Sequence, residues 1–195
     1  MAGYGGFGLG PYYQNERNGQ EKKFLKVIGW GVDLVAVITL AFFAVVMFGG
    51  KITVSGRSME PLLTSGDVVL LDKLWYNFSG PNRMDVIAFK DAEEESRIYI
   101  KRIIGLPGEQ VQIKDGFLYI DGQLLENPVN PEPIKTAGLA EIEIQLGDSE
   151  YFVLGDNSDT SEDSRFSNVG NVHISQVQGR VWFRISPSSQ IGFIK

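Results

Sequence analysis

Tyr99-Ile100-Lys101-Arg102-Ile103-Ile104-Gly105 reads as a β-strand that carries a lysine among apolar residues. Side chains alternate across a strand, so Lys101 shares a face with Tyr99 and Ile103. An amine held between such neighbours loses hydration, and desolvation favours its neutral form. A neutral amine can take a proton from a serine hydroxyl. Earlier in the chain, Ser55-Gly56-Arg57-Ser58-Met59-Glu60-Pro61 offers one. Gly56 and Pro61 make that stretch a poor helix, so it reads as a turn presenting Ser58 beside the long apolar side chain of Met59.

The surrounding sequence repeats the strand signal. Lys51–Ser55, Asp67–Lys73, Asp85–Lys90 and Arg97–Ile104 are short runs rich in Val, Ile and aromatics. Ser65-Gly66, Ser79-Gly80-Pro81-Asn82 and Leu106-Pro107-Gly108 separate them as turns. Val111–Lys114, Asp115-Gly116 and Phe117–Ile120 form the clearest hairpin, because Asp-Gly suits a tight primed turn, and Asp121-Gly122 turns the chain again. Glu126–Ala140 holds three prolines and few periodic apolar residues, and is expected to be a surface loop. Tyr151–Leu154 and Gly179–Ile185 add two more strands. Closely spaced strands with frequent turns point to a barrel or a folded pair of sheets.

Toward the N-terminus the chain changes character. Residues 1–26 are polar and glycine-rich without apolar period, and are expected to be loose. Val27–Phe48 carries one charge, Asp33, and as a helix would rise about 33 Å, which matches the hydrocarbon thickness of a bilayer. A buried helix of a globular protein would show a polar face, and this run has almost none. A cleaved signal peptide has a shorter apolar core nearer the start. An uncleaved membrane span is the expectation. Lys22, Lys23 and Lys26 precede it, against Lys51 and Arg57 after it, which places the N-terminus in the cytoplasm. Residues 1–50 then carry a formal charge of +1, leaving −7 for residues 51–195 outside.

Composition removes several chemistries. The 195 residues, 43% hydrophobic, suffice for one ordinary domain and an appendage. A net charge of −6 gives no general electrostatic basis for nucleic-acid binding. Absence of cysteine excludes a thiol nucleophile, a disulfide framework and thiolate metal sites. The single histidine, His173, rules out a multi-histidine zinc site and weighs against a histidine-based triad. Between the late strands, Gly155–Arg165 is dense in Asp, Ser and Asn, which alone is most often a solvated turn. It lacks the glycine and terminal glutamate spacing of an EF-hand.

Five short motifs follow the apolar run in order. They are Ser58-Met59-x-Pro61, Gly66-Asp67-x-Val69, Arg83-x-Asp85-Val86, Lys101-Arg102-x-Ile104-Gly105-Leu106-Pro107-Gly108, and Gly155-Asp156-Asn157-x5-Asp163-Ser164-Arg165. Together they resemble bacterial type I signal peptidase, the serine/lysine leader peptidase family, over roughly Val27 to Phe183. The resemblance implies Ser58 as nucleophile and Lys101 as its general base. Met59 matches a methionine that packs near the substrate site, and Ser161 a serine whose hydroxyl orients the lysine amine. Asp156 with Arg102, and Asp163 with Arg165, match ion pairs that brace the site.

The implied fold is mainly β: an antiparallel, barrel-like catalytic domain over residues 51–195 with one N-terminal transmembrane helix over residues 27–48, resting on the outer face of the plasma membrane. The implied partners are the lipid bilayer and exported preproteins, whose signal peptides have small residues at −1 and −3 before the cut. No cofactor or metal is implied. Gly56 stands where some members have an oxyanion-hole serine, Met84 where Arg-Gly-Asp is usual, Leu63 near a frequent Pro-Thr-Leu pattern, and Ser158 where Gly-Asp-Asn-Arg is usual.

The chemistry needs these residue types independently. A free lysine is neutral at pH 7 in only about one molecule in 2,500, so burial must lower its pKa before it can serve a weakly nucleophilic serine. Two other readings stay open at this point. A self-cleaving Ser/Lys protease of related fold would carry a DNA-binding helix pair where this chain has its apolar run. A membrane-anchored, non-catalytic β binding module would not need Ser58 and Lys101 intact.

Overall fold

A computed structural model describes residues 11–92, 94, 96–126, 129 and 132–194. The chain divides into two units, Met1–Met47 and Phe48–Lys195. The first is built on α1 (Pro11–Phe48), which contains a 21-residue apolar stretch, Lys23–Phe43, of mean hydropathy 1.9. Every side chain of that stretch is exposed, the reverse of what apolar residues do in water and the arrangement a hydrocarbon environment favours. The helix starts earlier than the expected span, so residues 11–26 are helical and not loose. Proline is well placed in a first helical turn, and the Gln, Glu, Arg and Lys of residues 14–26 are good helix formers. Joined to the apolar run, they share a single nucleation cost. The expectation for residues 1–10 lies outside the described residues.

The second unit is antiparallel β. Its strands are β1 (Gly50–Thr53), β2 (Val68–Asp72), β3 (Val86–Lys90), β4 (Ile98–Gly105), β5 (Gln110–Lys114), β6 (Phe117–Ile120), β7 (Gln123–Leu124), β8 (Ile144–Gln145), β9 (Glu150–Leu154), β10 (Val172–His173), β11 (Val177–Ser186) and β12 (Gly192–Phe193), with one short helix, α2 (Trp75–Phe78). The larger sheet runs β1-β2-β11-β3-β4-β9-β10, with β12 also on β11, and the smaller runs β7-β6-β5-β8. This is the folded pair of sheets, not a closed barrel. Alternation decides the outer strands: β2 and β5 bury every second residue. β3 and β9 are covered on both faces and read as continuous apolar runs. Asp115 and Gly116 both have positive φ, 53° and 83°, the primed geometry that pairs Lys114 with Phe117.

Strand ends differ from expectation by one or two residues, and four two-residue strands were not foreseen. The proline-containing loop is also less superficial than expected. Ile134 donates its N–H to Gly116 O at 2.8 Å, and Ile134 and the fully buried Ala140 join the core beneath the smaller sheet. A separate core of Val54, Met59, Leu63, Val69, Leu71, Ala88, Ile100 and Val181 lies under the Ser58 segment.

Candidate active site

Ser58 is held by its neighbour. Met59 is 2% exposed and anchors the irregular segment after β1 in the core. Burying such a side chain contributes about 2–3 kcal/mol, enough to offset the 1–2 kcal/mol of fixing one residue's backbone. Turns close behind it: Glu60 N–H donates to Arg57 O at 3.2 Å and Leu63 N–H to Met59 O at 2.8 Å. Asp67 accepts from Thr64 N and Oγ1 and pairs with Arg184, which also donates to Leu62 O at 2.9 Å. Burial pushes the Asp67 carboxyl up, but these hydrogen bonds and the Arg184 charge outweigh it and hold the group below its usual value. The Gly66-Asp67 motif is thus a brace for the Ser58 turn.

The loop after β9 secures Ser58 from the other side. Asn157 N–H donates to Ser58 O at 3.0 Å. A β-carbon on Gly155 would lie 2.5 Å from that same oxygen and 2.3 Å from Ser161 Oγ, so only glycine fits there. Ser164 exchanges two bonds with Val153, at 2.9 and 3.1 Å, folding the loop back onto β9. Asp163 accepts from Gly155 N–H at 3.1 Å and forms a buried pair with Arg165, with contacts of 2.8 and 3.0 Å. Arg165 further donates to the carbonyls of Thr136 and Ser158. A buried charge pair is stable only with its remaining valences filled, and here they are. The loop, which its composition alone would make a solvated turn, buries Asp156, Ser161, Asp163, Ser164 and Arg165 and leaves Asp159, Thr160 and Glu162 exposed.

Lys101 sits in the middle of β4, opposite Ile87 of β3. It is 3% exposed, and its Nζ lies 5.7 Å from the centre of the Tyr99 ring. Burial lowers its pKa from 10.5 to about 8; the Asp163 and Glu162 charges act upward, and Arg165 and Arg97 downward. The next residue faces the other way. Arg102 makes a bidentate pair with Asp156, both contacts 2.8 Å, and donates to Met84 O at 2.9 Å. Strand alternation thus turns two adjacent cations to opposite tasks, one desolvated and one clamping the loop.

Ser58, Met59 and Lys101 line one cavity of about 260 Å³, walled also by Ile52, Val54, Ile98 and Ile100. Ser161 Oγ is buried and has no hydrogen-bond partner among the described residues. Arg83 pairs with Glu109 at 2.5 Å and also donates to Ile104 O, while Asp85 accepts from Tyr76 and Asn82 and meets Arg180 at 3.2 Å, so that motif braces the sheet beneath β4. His173 is exposed and caps the short 3₁₀ turn Ile174–Gln176. Among the described residues no group of three His, Cys, Asp or Glu side chains is placed to hold a metal. Sequence reading quoted Gly155 in a motif without giving it a role, and missed Arg97 and Glu162, which meet at 3.4 Å beside Tyr99. The strand spacing of Arg97, Tyr99 and Lys101 was the available signal for Arg97.

Comparison with known proteins places this geometry in context. Residues 27–186 match the family described as signal peptidase, peptidase S26. The chain is 35% identical to a signal peptidase I of Bacillus caldolyticus, over 84% of this chain and 92% of that one. It is 30% identical to a probable signal peptidase I of Synechocystis, over 84% of this chain and 75% of the relative. It is also similar to a solved signal peptidase I structure from Enterococcus faecalis, at 32% identity and a TM-score of 0.44, covering 52% of this chain and 96% of that one.

Proposed function

This chain belongs to the signal peptidase family, peptidase S26, and we propose that it removes signal peptides as a serine endopeptidase in which Ser58 attacks and Lys101 accepts the proton. The observation that carries the reading is a lysine 3% exposed, its pKa lowered to about 8, lining the same cavity as Ser58. With that pKa roughly one Lys101 in ten is neutral at pH 7, hundreds of times more than for a free lysine.

In the proposed reaction Ser58 Oγ gives its proton to Lys101 Nζ and attacks the scissile carbonyl carbon. The ammonium returns the proton to the departing amine of the mature protein. Water, deprotonated by the same lysine, then releases the signal peptide from Ser58. The backbone N–H of Ser58 is a donor for the developing oxyanion. Ser161, whose buried hydroxyl has no hydrogen-bond partner among the described residues, is the group that would orient the lysine. Asp156–Arg102 and Asp163–Arg165 keep the loop beneath it in place.

β9 pairs with β4 only from Arg102 onward, so Ile98–Lys101 have no strand beside them on that side among the described residues. An extended peptide added at that edge would enter the cavity walled by Ile52, Val54, Ile98 and Ile100, a space suited to small side chains. Preproteins of the Ala-x-Ala kind fit this reading. The apolar helix anchors the enzyme, with the N-terminus cytoplasmic and the β domain outside, on the lysine balance already given. Nucleic acid is not a partner in this reading.

The test is incubation of the detergent-solubilised protein with an Ala-x-Ala preprotein. Wild type should release the mature protein, and Ser58→Ala should not, while folding equally well. Cleavage by Ser58→Ala at the wild-type rate would assign the nucleophile elsewhere.

A further inference from the structure

Arg97 stands directly before β4, in step with Tyr99 and Lys101 along one strand face. Its guanidinium carbon lies 4.8 Å from the centre of the Tyr99 ring, the same ring that Lys101 Nζ approaches to 5.7 Å. Its Nη2 reaches Glu162 Oε2 at 3.4 Å. Glu162 lies between Ser161, whose buried hydroxyl has no partner among the described residues, and Asp163, the anion acting most strongly on Lys101. This ion pair therefore joins the segment that leads into β4 to the loop whose charges act on the amine, and both of its side chains are about half exposed.

We propose that the Arg97–Glu162 ion pair is a positioning device for Lys101, tying the start of β4 to the Ser161–Asp163 loop and balancing the charge around the amine. The inference rests on Lys101 being the general base. An isolated exposed pair contributes little to stability, so its role would not be thermodynamic. Its place is what matters, because two opposite charges beside a desolvated amine cancel only while both are present. Among the described residues the charged groups that act on Lys101 are Glu162, Asp163 and Arg165 from the loop and Arg97 from directly before its own strand, with the Tyr99 ring beside it. Across the sheet, Ile87 contributes no charge. Asp163 and Arg165 satisfy one another in a buried pair, which leaves Arg97 and Glu162 as the adjustable members.

The experiment compares full-length, detergent-solubilised wild type, Arg97→Gln, Glu162→Gln and the double variant on an Ala-x-Ala preprotein. The pH dependence of kcat/KM is measured at low salt and at about 1 M salt, where the Debye length falls to about 3 Å. Glu162→Gln removes an anion and should move the rising limb down by about half a pH unit; Arg97→Gln should move it up by a similar amount. The double variant should fall between them, and both single shifts should shrink in high salt. Unmoved limbs, shifts in the same direction, or shifts insensitive to salt would overturn the inference. A wild-type limb that stays near 8 while neither variant moves it sinks only this proposal. A wild type with no ionisation near 8 removes Lys101 as the base, and this proposal with it.

Discussion

At the scale of single residues the site depends on what is missing as much as on what is present. Gly155 is glycine for want of space: a methyl group there would run into Ser58 O and Ser161 Oγ together. Gly155→Ala should therefore lower kcat/KM for preprotein cleavage at least tenfold and cost about 1–3 kcal/mol of stability, as overpacking does. Gly80→Ala, with open space around it, should change neither. Unaltered cleavage by Gly155→Ala would mean that the loop does not fix the nucleophile. Lys101 was legible because Tyr99 and Ile103 flank it on its own face. The reason for Gly155 was not, because Ser58 lies in a remote segment and the approach of Ser161 Oγ depends on how the loop folds back. Met84 was marked in the sequence only as a departure from Arg-Gly-Asp. It takes a left-handed φ of 72°, a conformation costing a non-glycine residue about 1–2 kcal/mol, between an N–H bonded to Ile103 O and a carbonyl held by Arg102. That conformation is where the related motif usually has glycine.

At the scale of elements β4 is the organiser, because its two halves have different neighbours. It pairs with β3 from Ile98 to Arg102, and with β9 only from Arg102 to Gly105. Lys101 ends the half that has no strand beside it on the β9 side among the described residues, and Arg102 begins the half closed by β9. Arg102→Ala would strand Asp156 as a buried, unpaired carboxylate. A loss of about 3–5 kcal/mol in a denaturant or thermal titration is expected, with activity falling as the loop loosens. Arg57→Ala, whose partner Glu60 lies on the surface turn, should stay within about 0.5 kcal/mol. Equal stability of the two variants would contradict a bracing role for the Arg102–Asp156 pair. Strands of four or more residues were readable from alternation and turn residues, the Asp115-Gly116 hairpin most clearly. The short strands β7, β8, β10 and β12 were not, since two residues carry no period. The helical stretch from Pro11 was hidden for a different reason: its propensity is ordinary until it is joined to the apolar run.

At the scale of the whole molecule the proposed function gives anchoring to the exposed apolar helix and chemistry to the β unit that carries the cavity. Confining enzyme and preprotein to one surface raises their effective concentration. Lys22, Lys23 and Lys26 before the span predict that protease added to right-side-out spheroplasts digests the β unit. A reporter fused after Lys195 that works only in the cytoplasm would reverse that orientation. The central claim is that Lys101 accepts the proton, and it is tested most directly by the pH dependence of kcat/KM for wild type and Lys101→Arg. A depressed lysine pKa leaves the amine charged and inactive below it, so wild-type kcat/KM should rise with pH along a single ionisation near 8 and level off above it. Arginine keeps the charge but does not release its proton in a protein, so Lys101→Arg should be inactive across the range. Wild-type-like turnover by Lys101→Arg at alkaline pH would show that the proton goes elsewhere.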